Sequence, residues 1–339
     1  MSNQERLPLE EECDGRTPGR TVEILAPRQV PLGGLRAMTV RRTLPQRERS
    51  LIGAWCFLDH YGPDDVKHTG GMRVDAHPHV GLQTVSWLFS GEIEHRDSAG
   101  FHAMVRPGEL NLMTAGRGIS HSERSTAETT ILHGVQLWVA LPSDQRQTAP
   151  DFEHYAPPMV LGRGWRGQVF LGSLLGHTSP VRTFSPLVGA EFCFEPGAIL
   201  DLEVERSFEH GILVDDGSIS IARSSGWEGI ETNELGYIPP SAAYLRLRAG
   251  RRGARILFLG GEPLGEQIVM WWNFIGETHE EIVQARRDWQ ATLARVGVAD
   301  PAGVEMVQAD SDRFKLPRFE PAPPLPAPPL PNATLLPRA

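Results

Sequence analysis

The chain has 339 residues, 22% of them charged, with a formal net charge of -9 and an isoelectric point near 5.8. That length is ample for two domains that each bury a core, and the acidic balance opposes a surface built to neutralise phosphates, so no direct nucleic-acid binding is expected. Cys13, Cys56 and Cys193 form no C-x-x-C pair, and no run of about 18 apolar residues occurs, which argues against a disulfide framework, a thiolate zinc site and a membrane span.

The first residues, with acidic Glu10 to Glu12, lack the positive-then-apolar pattern of a signal peptide, so the expected location is cytoplasmic. Residues 1–20 read as a disordered tail. Beyond them short strands alternate with Gly- and Pro-rich turns. Val85, Trp87 and Phe89 alternate with Ser86, Leu88 and Ser90; Val135, Leu137 and Val139 keep the same rhythm. Leu200, Leu202 and Val204 alternate with acids, and Leu245 and Leu247 with arginines. Many such strands at short spacing predict an all-β chain of antiparallel, jelly-roll-like barrels. A weak internal repeat makes them two in tandem: Gly108 leads through Leu110, Leu112 and Thr114 towards His121, and Gly236 leads through Ile238 towards Tyr244. The first barrel is expected over residues 21–150 and the second over 151–275. A helix follows over 276–300, where Thr278 and Glu281 form a capping box and Ile282, Ala285, Trp289 and Leu293 share one face. The Pro-rich residues 321–331 make 301–339 an extended, solvated tail.

Two pairs of residues carry chemistry. His77-Pro-His79 puts two imidazoles on one face of an extended strand, and His121-Ser-Glu123 repeats the two-residue spacing. On facing strands of a barrel the pairs would converge on one ion from opposite sides. The nitrogen and oxygen donors, with no thiolate, suit iron, manganese, nickel, copper or catalytic zinc. Gly116 and Gly118 let the backbone turn tightly just before His121.

The segments Phe57-Leu-Asp-His60, His77-Pro-His79-Val-Gly-Leu-Gln-Thr-Val, Gly91 to Asp97, Arg106-Pro-Gly108 and Met113 to Glu123 resemble the pirin family of the cupin superfamily. The similarity is dense over residues 50–140 and looser to about 283, including Leu259 to Leu264. The resemblance implies two cupin-type barrels, only the first with metal. It assigns His77, His79, His121 and Glu123 as ligands of one ferrous or ferric ion. The second barrel offers only His210 and Tyr244 at the corresponding places, too few for a metal. Val80 and Gln83 stand where the family often has an arginine and a glutamate, a change near the pocket mouth expected to alter surface charge, partner contacts or hydrogen bonding behind the ligands. Met270 to Phe274 reads as packing between barrel and helix. His95 and His102 read as hairpin residues outside the metal shell, His95 facing the surface or hydrogen-bonded within the hairpin, and His60 as part of the pocket wall or a contact behind the ligands.

The resemblance further implies a quercetin 2,3-dioxygenase-type oxygenase, with a chelating flavonol or other enolic substrate, dioxygen as co-substrate, and Glu123 as both ligand and base. The alternative it leaves open is a non-catalytic, iron-dependent regulator that acts through protein partners. A monomer is expected.

Overall fold

The computed structural model describes residues 22–32, 38–224, 226–303 and 312–337; the tail expected over 1–20, with Cys13, lies outside them. In chain order, β1 (Glu23–Leu25), β2 (Arg28–Leu32), β3 (Met38–Leu44) and β4 (Trp55–Asp65) lead through α1 (Val66–Thr69) into β5 (Arg73–His79) and β6 (Leu82–Ser90). Then come β7 (Ile93–Asp97), β8 (His102–Val105), β9 (Leu110–Thr114), β10 (Ile119–Ser125), β11 (Ile131–Ala140) and β12 (Asp151–Tyr155). The second half holds β13 (Val160–Gly162), β14 (Trp165–Leu171), β15 (Ser173–Leu174), β16 (His177–Thr178), β17 (Leu187–Phe194), β18 (Ile199–Glu203), β19 (Glu209–Arg223), β20 (Gly226–Glu231), β21 (Leu235–Ile238) and β22 (Tyr244–Gly261). A hairpin of β23 (Val269–Trp271) and β24 (Phe274–Gly276) precedes α2 (His279–Ala294).

The strands build the two barrels and the helix that the alternation implied. In the first, a sheet ordered β12-β9-β6-β11-β4-β3-β2 faces one ordered β5-β10-β7-β8. The second is one sheet ordered β1-β21-β19-β22-β17-β14-β13, with β18 on β22 and β20 on β19. It rolls over through two long strands, β19 and β22, whose register shifts between Val214 and Asp216 and between Gly217 and Ile219, since a bulge bends the strand that carries it.

The chain order and the barrels do not coincide at either end. Glu23, Ile24 and Leu25 of β1 pair with Tyr237, Gly236 and Leu235, so a strand that precedes the first barrel completes the second. In return, the β23–β24 hairpin packs on the first barrel, where Ile275 N–H donates to Val80 O at 3.0 Å.

The barrels meet face to face. Val85, Trp87, Leu112, Val135 and Leu137 of the first share one apolar core with Phe170, Leu213, Leu235, Leu257 and Leu259 of the second. Each buried aliphatic side chain there contributes about 1.5–3 kcal/mol. Trp87 stacks on Phe170 with ring centroids 4.6 Å apart and donates from Nε1 to Glu191 Oε2 at 2.7 Å. The apolar residues of the β6 alternation therefore face the other barrel, and Ser86 faces the interior of its own.

Helix α2 starts at Thr278, whose side chain accepts from Glu281 N–H, and Ile282, Ala285, Trp289 and Leu293 are all buried. The reciprocal bond expected of the capping box is displaced by one residue, because Glu281 Oε2 accepts from Glu277 N–H at 2.8 Å. The buried face meets Val80, Trp271, Trp272 and Phe274 in one cluster, the barrel-to-helix packing expected of the aromatic segment. No helix among the described residues is long and apolar enough to cross a membrane.

The Pro-rich run has no helix or strand, yet it is not solvated as its composition suggested. Phe314, Ala327 and Leu335 are buried in the α2 cluster. Trp289 Nε1 donates to Leu325 O at 2.8 Å, Arg286 Nε to Pro328 O at 2.7 Å, and Ala327 N–H to Gln290 Oε1 at 2.9 Å. Proline cannot donate to a ladder, but its carbonyl still accepts, and α2 supplies the donors.

Candidate metal centre

His77 and His79 end β5, and His121 and Glu123 lie on β10, its hydrogen-bonded neighbour. Antiparallel register sets His121 directly opposite His77. The two pairs therefore converge from adjacent strands of one sheet, and not from opposite walls as the spacing suggested. Alternation points both pairs into the barrel, where all four side chains are fully buried.

The imidazole centroids lie 4.4 Å (His77 to His121), 4.9 Å (His79 to His121) and 5.0 Å (His77 to His79) apart. One ligand nitrogen from each falls within 4.8 Å of the others, and the same holds for the set His95, His121 and Glu123. His77 Nδ1–H donates to Asp75 O at 2.8 Å, which leaves the Nε2 lone pair free. His77 Nε2, His79 Nε2 and His121 Nε2 are buried with no hydrogen-bond partner. Buried polar atoms without partners are rare because each costs about 1–3 kcal/mol, so three on neighbouring rings whose ligand nitrogens gather within 4.8 Å fit a site shaped for a cation. Burial holds all three imidazoles below their ordinary range, His77 down to about 3, so each is neutral at pH 7 and has a lone pair to give.

The interior wall opposite is polar. Ser86 Oγ donates to Gln136 Oε1 at 2.9 Å and lies 3.4 Å from Glu123 Oε1. Behind β10 on its other side lies β7, with His95 opposite Glu123 and Asp97 opposite His121. Of the two placements expected for His95 the surface one is excluded: it is buried, hydrogen-bonded within the hairpin, and its Nδ1 lies 3.4 Å from His121 Nδ1. A metal on His121 Nε2 would put the proton on Nδ1, the nitrogen that faces His95 Nδ1. His95 then donates from Nε2 to Asp97 Oδ2 at 3.3 Å. Asp97 Oδ1 is fixed by the N–H groups of Ala99, Gly100 and Phe101 at 2.9, 3.0 and 3.1 Å. The H-x-D spacing of His95 and Asp97 matches that of the ligand pairs and was the available signal, masked by the charged neighbours Glu94 and Arg96. His102, in contrast, is exposed and bonded to Glu94, as expected of the hairpin.

Three other residues sit elsewhere than expected. His60 faces the second barrel, where its Nε2 lies 2.7 Å from Asp215 Oδ1; His133 Nε2 lies 2.6 Å from the same oxygen. Arg255 Nη1 holds the other Asp215 oxygen at 3.2 Å, so this cluster is a polar lock between barrels and not a pocket wall. Val80 is buried in the α2 cluster. Gln83 is buried on the seam side of β6, donating to Thr114 Oγ1 at 2.9 Å and Arg182 O at 3.2 Å. Neither substitution lies at an exposed mouth. In the second barrel, His210 is buried with both nitrogens unpartnered near Phe258, and Tyr244 is 68% exposed, so the two share no site.

The sequence pattern of pirin matches residues 37–139, and that of the pirin C-terminal cupin domain matches residues 189–294. The chain belongs to the pirin family. It is 41% identical over 304 residues to a Pseudomonas aeruginosa protein named "Putative quercetin 2,3-dioxygenase", covering 88% of this chain and 94% of that one. A pirin-like protein of Caulobacter vibrioides is 34% identical over 261 residues, 74% of this chain and 88% of its own. Among solved structures, a quercetin 2,3-dioxygenase from Acinetobacter baumannii superposes with a TM-score of 0.80 at 33% identity, covering 92% of this pirin and 97% of that chain.

Proposed function

We propose that His77, His79, His121 and Glu123 hold one iron ion and that this pirin is a quercetin 2,3-dioxygenase-type oxygenase acting on a flavonol or a similar chelating enol. The observation that carries the reading is the convergence of three unpartnered, neutral imidazole nitrogens beside a buried carboxylate. Relatives named for the same reaction support it. Bound there, iron supplies the Lewis acidity that acidifies an enolic hydroxyl and the electron chemistry that dioxygen requires.

The protein's own groups divide the remaining work. Glu123 is the sole carboxylate of the set, so it accepts the proton that leaves the enolic hydroxyl. Ser86, directed at Gln136 and close to Glu123, keeps the carboxylate in a polar pocket wall. Asp97 and His95 hold the His121 ring with its Nε2 lone pair inward.

The test is oxygen consumption with quercetin by iron-reconstituted protein, beside a His121→Ala, Glu123→Ala double variant with metal content checked in both. Turnover in the wild type alone supports the reading. Bound iron without turnover in the wild type rejects it and points to an iron-dependent regulator with protein partners.

A further inference from the structure

The ladder that joins the two ligand strands is broken at the centre of the site. His121 pairs with His77, but Glu123 pairs with Val74, so β5 spends one more residue than β10 over this stretch. Asp75 and Ala76 on one side and Ser122 on the other have no partner in this ladder, although Ser122 stays paired with Arg96 of β7. A bulge of this kind leaves backbone groups unpaired and makes the strand easier to deform. Strand β5 is also an edge, with no further strand beyond it. A metal site needs its ligands fixed, and both features work against that.

The freed groups are taken up from elsewhere. Asp75 O accepts from His77 Nδ1, as described above. Ala76 O accepts from Leu325 N–H at 2.8 Å, so the Pro-rich segment closes the exposed edge at the bulge. The same segment fastens β10. Ser120 Oγ donates to Lys315 O, and Ser122 Oγ donates to Glu320 Oε1 at 2.7 Å. Arg124 Nη2 lies 3.4 Å from Glu320 Oε2 and 2.6 Å from Asp75 Oδ1. Glu320 is only 9% exposed. Ser122 and Arg124 point out of the barrel where Glu123 points in, so one carboxylate of the strap clasps both neighbours of a ligand. Arg124 carries that clasp across to the bulge.

We propose that the segment from Lys315 to Leu325 is a strap that fixes the metal ligands from outside the barrel, with Glu320 as a positioning residue that slows exchange of the ion. The inference rests on the ligand assignment proposed above. It adds a structural element from beyond residue 294, where the match to the C-terminal cupin domain ends. Without the clasp, Ser122 keeps only its pairing with Arg96 of β7, and the β5 side of the ladder is free to shift against Glu123.

Deleting the strap would also expose the α2 cluster, so single side chains are the better probe. Glu320→Ala and Ser122→Ala are compared with wild type, each loaded with Co2+ and then challenged with excess EDTA. One ion per chain is expected in all three, with release about ten-fold faster in the variants, a changed visible cobalt spectrum, and an unchanged melting temperature of the metal-free protein. Glu320→Gln keeps an acceptor for Ser122 and should restore most of the slow release. Equal release rates and identical spectra in wild type and Glu320→Ala overturn the strap's role, whatever happens to the melting temperature. A wild type that binds no Co2+ fails earlier, at the ligand assignment, and is thereby distinguished.

Discussion

His95 Nδ1 lies 3.4 Å from His121 Nδ1, and the contact decides which nitrogen of His121 faces the interior of the barrel. A ligand imidazole is useful only in the tautomer that turns a lone pair to the ion, and groups beyond the ligands fix that choice. His95→Ala should therefore weaken metal binding by about 10–100-fold while one site per chain remains. Asp97→Asn should give a smaller loss. Competitive chelator titration measures both; an unchanged affinity in His95→Ala would show that His121 is oriented by packing alone.

The lock between the barrels sets a second expectation. Asp215 of the second barrel accepts from His60 and His133 of the first, and removing it leaves two buried imidazoles without an acceptor. Asp215→Ala should cost about 3–5 kcal/mol in stability. Metal content should be unaffected, since His60 lies on the opposite face of its sheet from the ligands. Urea denaturation with metal analysis checks both halves of the statement.

Stability should fall on acidification below neutral pH. Burial depresses the pKa of His210 to about 4 and moves that of His60 downward, against an unfolded value of about 6.5. Below that unfolded value the unfolded chain binds protons that the folded protein refuses. Each histidine therefore contributes fully above about pH 6.5 and loses its contribution as pH falls towards its folded value, at up to about 1.4 kcal/mol per pH unit. Asp215, also depressed, acts in the same sense at lower pH, around and below about 4. A His210→Leu variant should show a shallower loss between pH 6.5 and 5 in denaturant melts; an identical slope would mean that His210 does not titrate differently on folding.

Helix α2 ties the strap to the barrel through Trp289, fully buried, with Nε1 on Leu325 O. Trp289→Ala should destabilise by about 3–5 kcal/mol. Thr278→Ala, which removes only the cap, should cost about 1 kcal/mol. Thermal melts of the two variants separate packing from capping.

The barrels and the gathering of the two residue pairs were legible in the sequence because strand alternation and two-residue spacing are local signals. The four residues of H-P-H and H-S-E reach one interior because a strand has a period of two and the register opposes His121 to His77. What was missed depended on tertiary pairing. His95 read as a hairpin residue, and its approach to His121 emerges only when β7 is laid beside β10. The alternation in β6 separated Ser86 from Val85 and Trp87 but could not tell which face a second barrel covers. The run from Pro321 read as a solvated tail, since nothing in its composition reveals that α2 and β5 offer partners to its carbonyls and to Leu325 N–H.

The most direct test of the account is metal analysis of purified, iron-reconstituted wild type beside His77→Ala and His121→Ala, with circular dichroism to confirm that each is folded. The account predicts one iron per wild-type chain and loss of the ion from both folded variants. Stoichiometric iron retained in both variants, or a folded wild type that takes up no iron, would contradict it.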